Sequence, residues 1–164
     1  MTRLIFVALL VSALAAGAAH GQCTLANPSF EVLASGAPVF SGWNQFGITG
    51  STSDAMHGQH AAKVTGPSLG GWDVSGFIQD HDAVPGEQFA ITGHFLVSGT
   101  APLKGASLAI VNVEWHDAGG MIDYQSFDIG DAGSLLDEWV FFSFTSDPAV
   151  IEIRPPPCPP AAFE

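Results

Sequence analysis

Alternation of apolar and polar positions is clearest in EQFAITGHFLV, residues 87–97, where Phe89, Ile91, Phe95 and Val97 share one face while Gln88, Ala90, Thr92 and His94 share the other. A period of two marks a strand with one buried face and one face at least partly in water. VPGE, just ahead of it, is a turn signal, with Pro85 suited to the first central position and Gly86 to the second. The stretch ASLAIVNVEWHDAGG, residues 106–120, repeats the pattern with Val111, Val113 and Trp115 against Asn112, Glu114 and His116, and residues 117–120 supply a turn. DEWVFFSFTSDP, residues 137–148, is apolar on both faces around its middle, which predicts a central strand covered on each side. Weaker strand signals lie at residues 30–32, 45–48, 60–65, 74–80 and 122–128.

No segment of any length shows helical spacing, and there is no internal repeat. Eight or so short strands at intervals of ten to fifteen residues, separated by Gly and Pro, predict an all-β fold built as a two-sheet antiparallel sandwich.

The two ends of the chain read differently. Arg3, the apolar run at residues 4–16 and the small residues around Ala19 and Gly21 have the form of a secretory signal peptide over residues 1–21. The run is too short to cross a bilayer, and every later apolar run is broken within about ten residues. The expected organisation is therefore a signal at 1–21, one β-sandwich domain at 22–153 and a Pro-rich tail, RPPPCPPAAFE, at 154–164. The prolines lack the donors a sheet interior needs. The expected location is secreted, periplasmic or extracellular, without membrane insertion.

Charge narrows the partners. The chain carries 4 Lys and Arg against 16 Asp and Glu, a formal net charge of −12 with neutral histidines. Such a surface repels phosphate backbones and excludes nucleic acid as a natural partner, leaving neutral polar ligands or cations. Cys23 and Cys158 stand near the two ends of the exported chain. In an oxidising compartment they form a disulfide, or Cys158 stays in the tail and never meets Cys23; both readings stand.

Reactive motifs are absent from the sequence. It contains no Gly-x-Ser-x-Gly elbow, phosphate loop or Cys–His arrangement, and HGQH at residues 57–60 lacks a third ligand at a metal-binding spacing. Glu87, Glu114 and Glu138 offer carboxylates, but a glycosidase pair is defined by spatial separation. The expectation is a protein that is not an enzyme, with a small polysaccharide hydrolase as the weaker alternative.

The ordered set NPSFE, GW, HGQHAAKVTG, SGFIQD, VPGEQFAITGHFLV, VEWHDAGG and a Trp ahead of DP resembles the carbohydrate-binding modules with the galactose-binding-like jelly-roll fold. The closest likeness is to the type attached to bacterial cellulases and xylanases, and it spans about residues 25–150. The resemblance implies a jelly roll whose first strand begins at NPSFE, with Phe30 in the core and Glu31 a ligand of a structural Ca²⁺ alongside an Asp of the final strand. Here the Pro-rich tail stands where that final strand would be.

It also implies a glycan site, in which aromatic faces take the axial hydrogens of sugar rings and polar side chains pair with the hydroxyls. Trp43, Trp115 and Trp139 read as core. Trp72, in the Gly-rich SLGGWD, and Tyr124 read as stacking residues, and Gln79, His94, Glu114 and His116 as hydrogen-bonding partners. The expected function is a secreted, non-catalytic module that binds neutral poly- or oligosaccharide. The alternative is a structural or cell-surface interaction sandwich without a sugar site.

Overall fold

The computed structural model describes residues 25–66 and 74–149. Residues 1–21, both cysteines, Trp72 and the Pro-rich tail lie outside the described residues. Eight strands follow in order: β1 (Asn44–Phe46), β2 (Ile48–Thr52), β3 (Ala61–Thr65), β4 (Gly76–Ile78), β5 (Ala90–Leu96), β6 (Ala109–Asp117), β7 (Gly120–Gly130) and β8 (Trp139–Thr145). There is no helix among the described residues. The strands form four antiparallel ladders, β1 with β4, β2 with β3, β5 with β8 and β6 with β7.

Alternation decides which side of each ladder is buried. Along β5 and β8, Ile91 pairs with Phe144, Gly93 with Phe142 and Phe95 with Val140, and these face the core. The intervening pairs, Thr92 with Ser143, His94 with Phe141 and Leu96 with Trp139, face the other way. In the β6–β7 hairpin, Val111 and Trp115 are buried, and Val111 joins the cluster that contains Ile91, Phe95 and Phe142. Ring contacts tie the two ladders together: Phe127 of β7 stacks on Phe144 of β8 at 3.7 Å between centroids, and Trp115 meets Phe89 at 5.7 Å.

The turn before β5 forms as its sequence predicts. Glu87 N donates to Val84 O at 3.0 Å, and Gly86 sits at φ 84°, where a residue with a Cβ is strained.

Three strand assignments change, one of them at residues 45–48, where the chain divides at Gly47 into β1, paired with β4, and β2, paired with β3. Residues 30–32 are not a strand: Asn27 to Phe30 closes a tight turn, with Phe30 N donating to Asn27 O at 3.1 Å and Phe30 at φ 58°. The expectation for the Phe30 side chain holds, because its ring is buried among Phe40, Trp43 and Phe77 at 4.7 to 5.7 Å. The neighbouring backbone makes only one bridge, between Leu33 and Phe40. The third change concerns β8, which is not covered on each side. Phe141 is 59% exposed and Trp139 is half-buried on the outward face, because only Val140, Phe142 and Phe144 fit the core side of a pleated strand.

Packing is tight where β7 ends. A Cβ built on Gly130 would lie 2.6 Å from Cε2 of the buried Phe95 ring. Gly130→Ala is expected to destabilise the fold by about 1 to 3 kcal/mol through overpacking. Thermal unfolding followed by near-ultraviolet circular dichroism checks this, and Gly50→Ala, at a strand position with open space around the Cα and no positive φ, calibrates the backbone contribution alone.

Candidate functional site

The residues with binding chemistry sort into three places. The first is the outward face of the β6–β7 hairpin. A two-residue loop, Ala118 and Gly119, joins the strands, and Gly119 N donates to Asp117 Oδ1 at 2.6 Å. The resulting register places Glu114 directly opposite Tyr124 and Asn112 opposite Ser126. Directly opposed side chains have Cβ atoms about 5 Å apart, so Glu114 and Tyr124 are neighbours on this face. His116 Nε2 meets Glu114 Oε2 at 3.1 Å, and Ser126 Oγ donates to Asn112 Oδ1. Tyr124 is 59% exposed, so one face of a phenol ring is available beside a carboxylate and an imidazole.

Three of the sequence-predicted residues, Glu114, His116 and Tyr124, therefore come together. The pleat orients them outward because Val111, Val113 and Trp115 take the inner positions. A carboxylate accepts hydrogen bonds, an imidazole donates or accepts, and an exposed ring offers an apolar plane; these are the groups a sugar ring needs.

The second place is the outward face of the β5–β8 ladder. His94 lies here, its ring 5.2 Å from that of Phe141. Phe141 and Trp139 were not legible as surface aromatics, because a run of Trp, Val, Phe and Phe has no period that tells inside from outside. The signal was the polar partner strand, whose outward residues Thr92 and His94 pair with Ser143 and Phe141.

The third place holds Gln79, and its amide is committed to the fold. Oε1 accepts from Ala26 N at 2.8 Å and lies 3.1 Å from His81 Nε2, while Nε2 donates to Ala26 O at 2.9 Å and to Gly42 O at 2.7 Å. A primary amide has two donors and one two-lone-pair acceptor, so this set uses its whole capacity. Gln79 pins the N-terminal turn onto β4 instead of reaching outward. Trp72 lies outside the described residues.

Glu31 likewise has a structural task. Its Oε1 and Oε2 accept Gln59 N at 3.1 and 3.0 Å, and Oε1 accepts His60 N at 3.1 Å. Gly58, at φ 79°, lets the loop wrap this closely; a Cβ there would sit 2.5 Å from the Glu31 carboxyl carbon. Ca²⁺ takes six to eight oxygen ligands, whereas the partners Glu31 has here are N–H donors, whose dipoles oppose a cation. Nor do three or more His, Cys, Asp or Glu side chains among the described residues gather into a metal-binding group. Both oxygens of the Glu31 carboxylate are engaged by backbone N–H groups, and the residues the resemblance pairs with it at the final strand lie outside the described residues.

The backbone donors of Gln59 and His60 hold the Glu31 carboxyl below its ordinary pKa. A carboxyl whose pKa is depressed by folding stabilises the protein fully above its unfolded value and loses that contribution as pH falls through the folded value.

Comparison of the chain with protein-family models, with curated proteins and with solved structures finds no match.

Two outcomes follow from these contacts. Glu31→Gln should melt below the wild type at pH 7, and the gap should close on titration downward from about pH 4.3, the unfolded Glu value, measured by melting at a series of pH values. Gln79→Ala should cost roughly 0.5 to 1.5 kcal/mol through loss of its hydrogen bonds to Ala26 and Gly42, whose exposed backbone groups water can reach, while Tyr124→Ala stays within about 0.5 kcal/mol, measured by urea unfolding.

Proposed function

We propose that the chain is an exported, non-catalytic carbohydrate-binding module with a two-sheet antiparallel jelly roll. Nested pairing supports the jelly-roll reading: the β5–β8 ladder encloses the β6–β7 hairpin in sequence, and the two contribute to one core. The signal-like residues 1–21 support export. The observation that carries the functional reading is the exposed Tyr124 ring directly opposite Glu114, itself bonded to His116, on a hairpin fixed by a buried inner face.

A neutral sugar ring stacks on Tyr124 and pairs its hydroxyls with Glu114 and His116. The site is open and wet, so sugar and protein both give up water on binding and the affinity is modest. Neutral glycan suits an acidic chain, which repels uronates and phosphorylated sugars. A fold of this kind does not dictate a ligand, so the reading rests on the site.

Affinity electrophoresis through gels containing soluble xylan, mixed-linkage β-glucan or galactomannan tests it. The whole chain should be retarded by at least one neutral polysaccharide, and Tyr124→Ala should weaken that retardation about tenfold, the equivalent of about 1.4 kcal/mol. Wild-type migration unchanged by every glycan would sink the reading and leave the protein-interaction sandwich in its place.

A further inference from the structure

We infer that the free edge of β7, from Tyr124 to Asp128, is a docking site for an extended basic peptide segment, which adds to the β6–β7 ladder as a third strand. The site consists of backbone groups and takes a polypeptide, so it stands apart from the glycan reading.

The hairpin register shows which backbone groups face that edge. In an antiparallel pair, directly opposed residues alternate between those that exchange two backbone hydrogen bonds and those that exchange none. Tyr124 is of the second kind: its N–H donates at 2.8 Å to Oδ1 of its neighbour Asp123 instead of into β6. Alternation puts Ser126, opposite Asn112, and Asp128, opposite Ile110, in the same class, so their N–H and C=O groups point away from β6. The bond from Ser126 Oγ to Asn112 Oδ1 agrees, because side chains come closest across pairs of this kind. β7 pairs with β6 alone, and neither the Ser126 nor the Asp128 N–H meets an acceptor among the described residues.

The N–H and C=O groups of Ser126 and Asp128 and the C=O of Tyr124 therefore stand in a row along about 17 Å of strand, at about 3.4 Å per residue. The window has defined ends. The register shifts between Trp115 and His116 and again between Ala109 and Ile110, and bulges bend and twist a strand, so the edge runs regularly only between them. Asp123 covers the one further donor, on Tyr124. An open edge of this kind is a template for another strand, and main-chain bonds supply the affinity when a peptide takes it.

Charge selects the occupant. The hairpin, Ala109–Gly130, carries Glu114, Asp117, Asp123 and Asp128 and no Lys or Arg. A second copy of the chain brings the same carboxylates and its own net charge of −12, and like charges on paired strands are destabilising. A basic segment is attracted instead. Its outward side chains lie beside Tyr124, Ser126 and Asp128, where Lys or Arg meets a carboxylate. Its inward side chains lie beside Gln125 and Phe127, and the Phe127 ring is stacked on Phe144, so an apolar residue extends that contact. The fitting sequence alternates basic with apolar residues.

The test uses the whole chain and a fluorescein-labelled peptide of alternating Lys and Val, read by fluorescence anisotropy. Two further copies are N-methylated on alternate backbone nitrogens, one on the Lys and one on the Val residues, so that each blocks one edge of the peptide at unchanged charge. The parent peptide should bind, and one methylated copy should bind at least tenfold more weakly than the other. A Glu-for-Lys copy should not bind. Ser126→Pro removes an edge donor that no ladder bond uses, and should weaken binding about tenfold, whereas Ser126→Ala, which removes only the hydroxyl, should bind as the wild type. Hydrogen exchange read by nuclear magnetic resonance on the wild type should show the Ser126 and Asp128 amides slowed by the peptide, a readout independent of how the proline variant folds.

An anisotropy unchanged by the parent peptide would overturn the inference. Equal binding of the two methylated copies would reduce the contact to charge attraction and overturn it as well, and binding of the Glu copy equal to that of the Lys peptide would overturn the basic class. Exchange at Ser126 and Asp128 unaltered by bound peptide would move the contact elsewhere and overturn the site. Glycan retardation is read separately with Tyr124→Ala, so the failure of either reading leaves the other standing.

Discussion

A backbone segment that runs at the surface but sends aromatic rings into the core, without joining a ladder, is held to one course by the hydrogen bonds its N–H and C=O groups make. The chain from Asn27 to Trp43 is in this position. Its Phe30, Phe40 and Trp43 rings fill the core with Phe77, and it makes little sheet. Side chains take over the pairing. Asn27 Nδ2 donates to Val32 O and Ser41 O, its Oδ1 accepts Val32 N, and its carbonyl accepts the indole N–H of Trp43. Gln79 closes the same region from β4, and Glu31 extends the arrangement to the loop before β3.

The same substitution of side chain for ladder recurs where strands end. Ser75 is fully buried; its Oγ accepts Ile48 N at 2.9 Å and donates to Thr65 O at 3.3 Å, linking β4 to the β2–β3 pair. Ser146, also buried, exchanges bonds with Phe89 beyond the end of the β5–β8 ladder. Polar residues that a reader of composition assigns to solvent thus hold the short ladders together. The outward faces of the two long ladders carry the exposed aromatic rings Tyr124 and Phe141. One is polar and acidic around Tyr124; the other is uncharged and aromatic around Phe141.

Legibility followed the same division. Period-two runs exposed the inner faces of β5 and β6, since a one-residue slip would turn every apolar side chain to water. They also brought out Glu114 and His116 as outward neighbours, because residues two apart on a strand share a side. Tyr124 joined them only through the hairpin register, which the folded structure set. Gln79 and Glu31 were not legible as fold residues, because each is defined by partners 28 to 53 positions away. A glutamine or glutamate reads the same whether its partner is water, sugar or distant backbone. Phe141 was hidden for another reason: an unbroken apolar run carries no phase.

From the chain alone, then, come the all-β class, the strands with a clean phase, the acidic surface and the apolar residues that must be hidden. All are set by local alternation and by the cost of wetting apolar groups, which act over a few residues. Tertiary structure decided which polar side chains bond backbone and which remain open, and which side of β8 meets the core. Those outcomes depend on contacts between segments far apart in sequence, where pairing one group with another removes both from water and from any ligand.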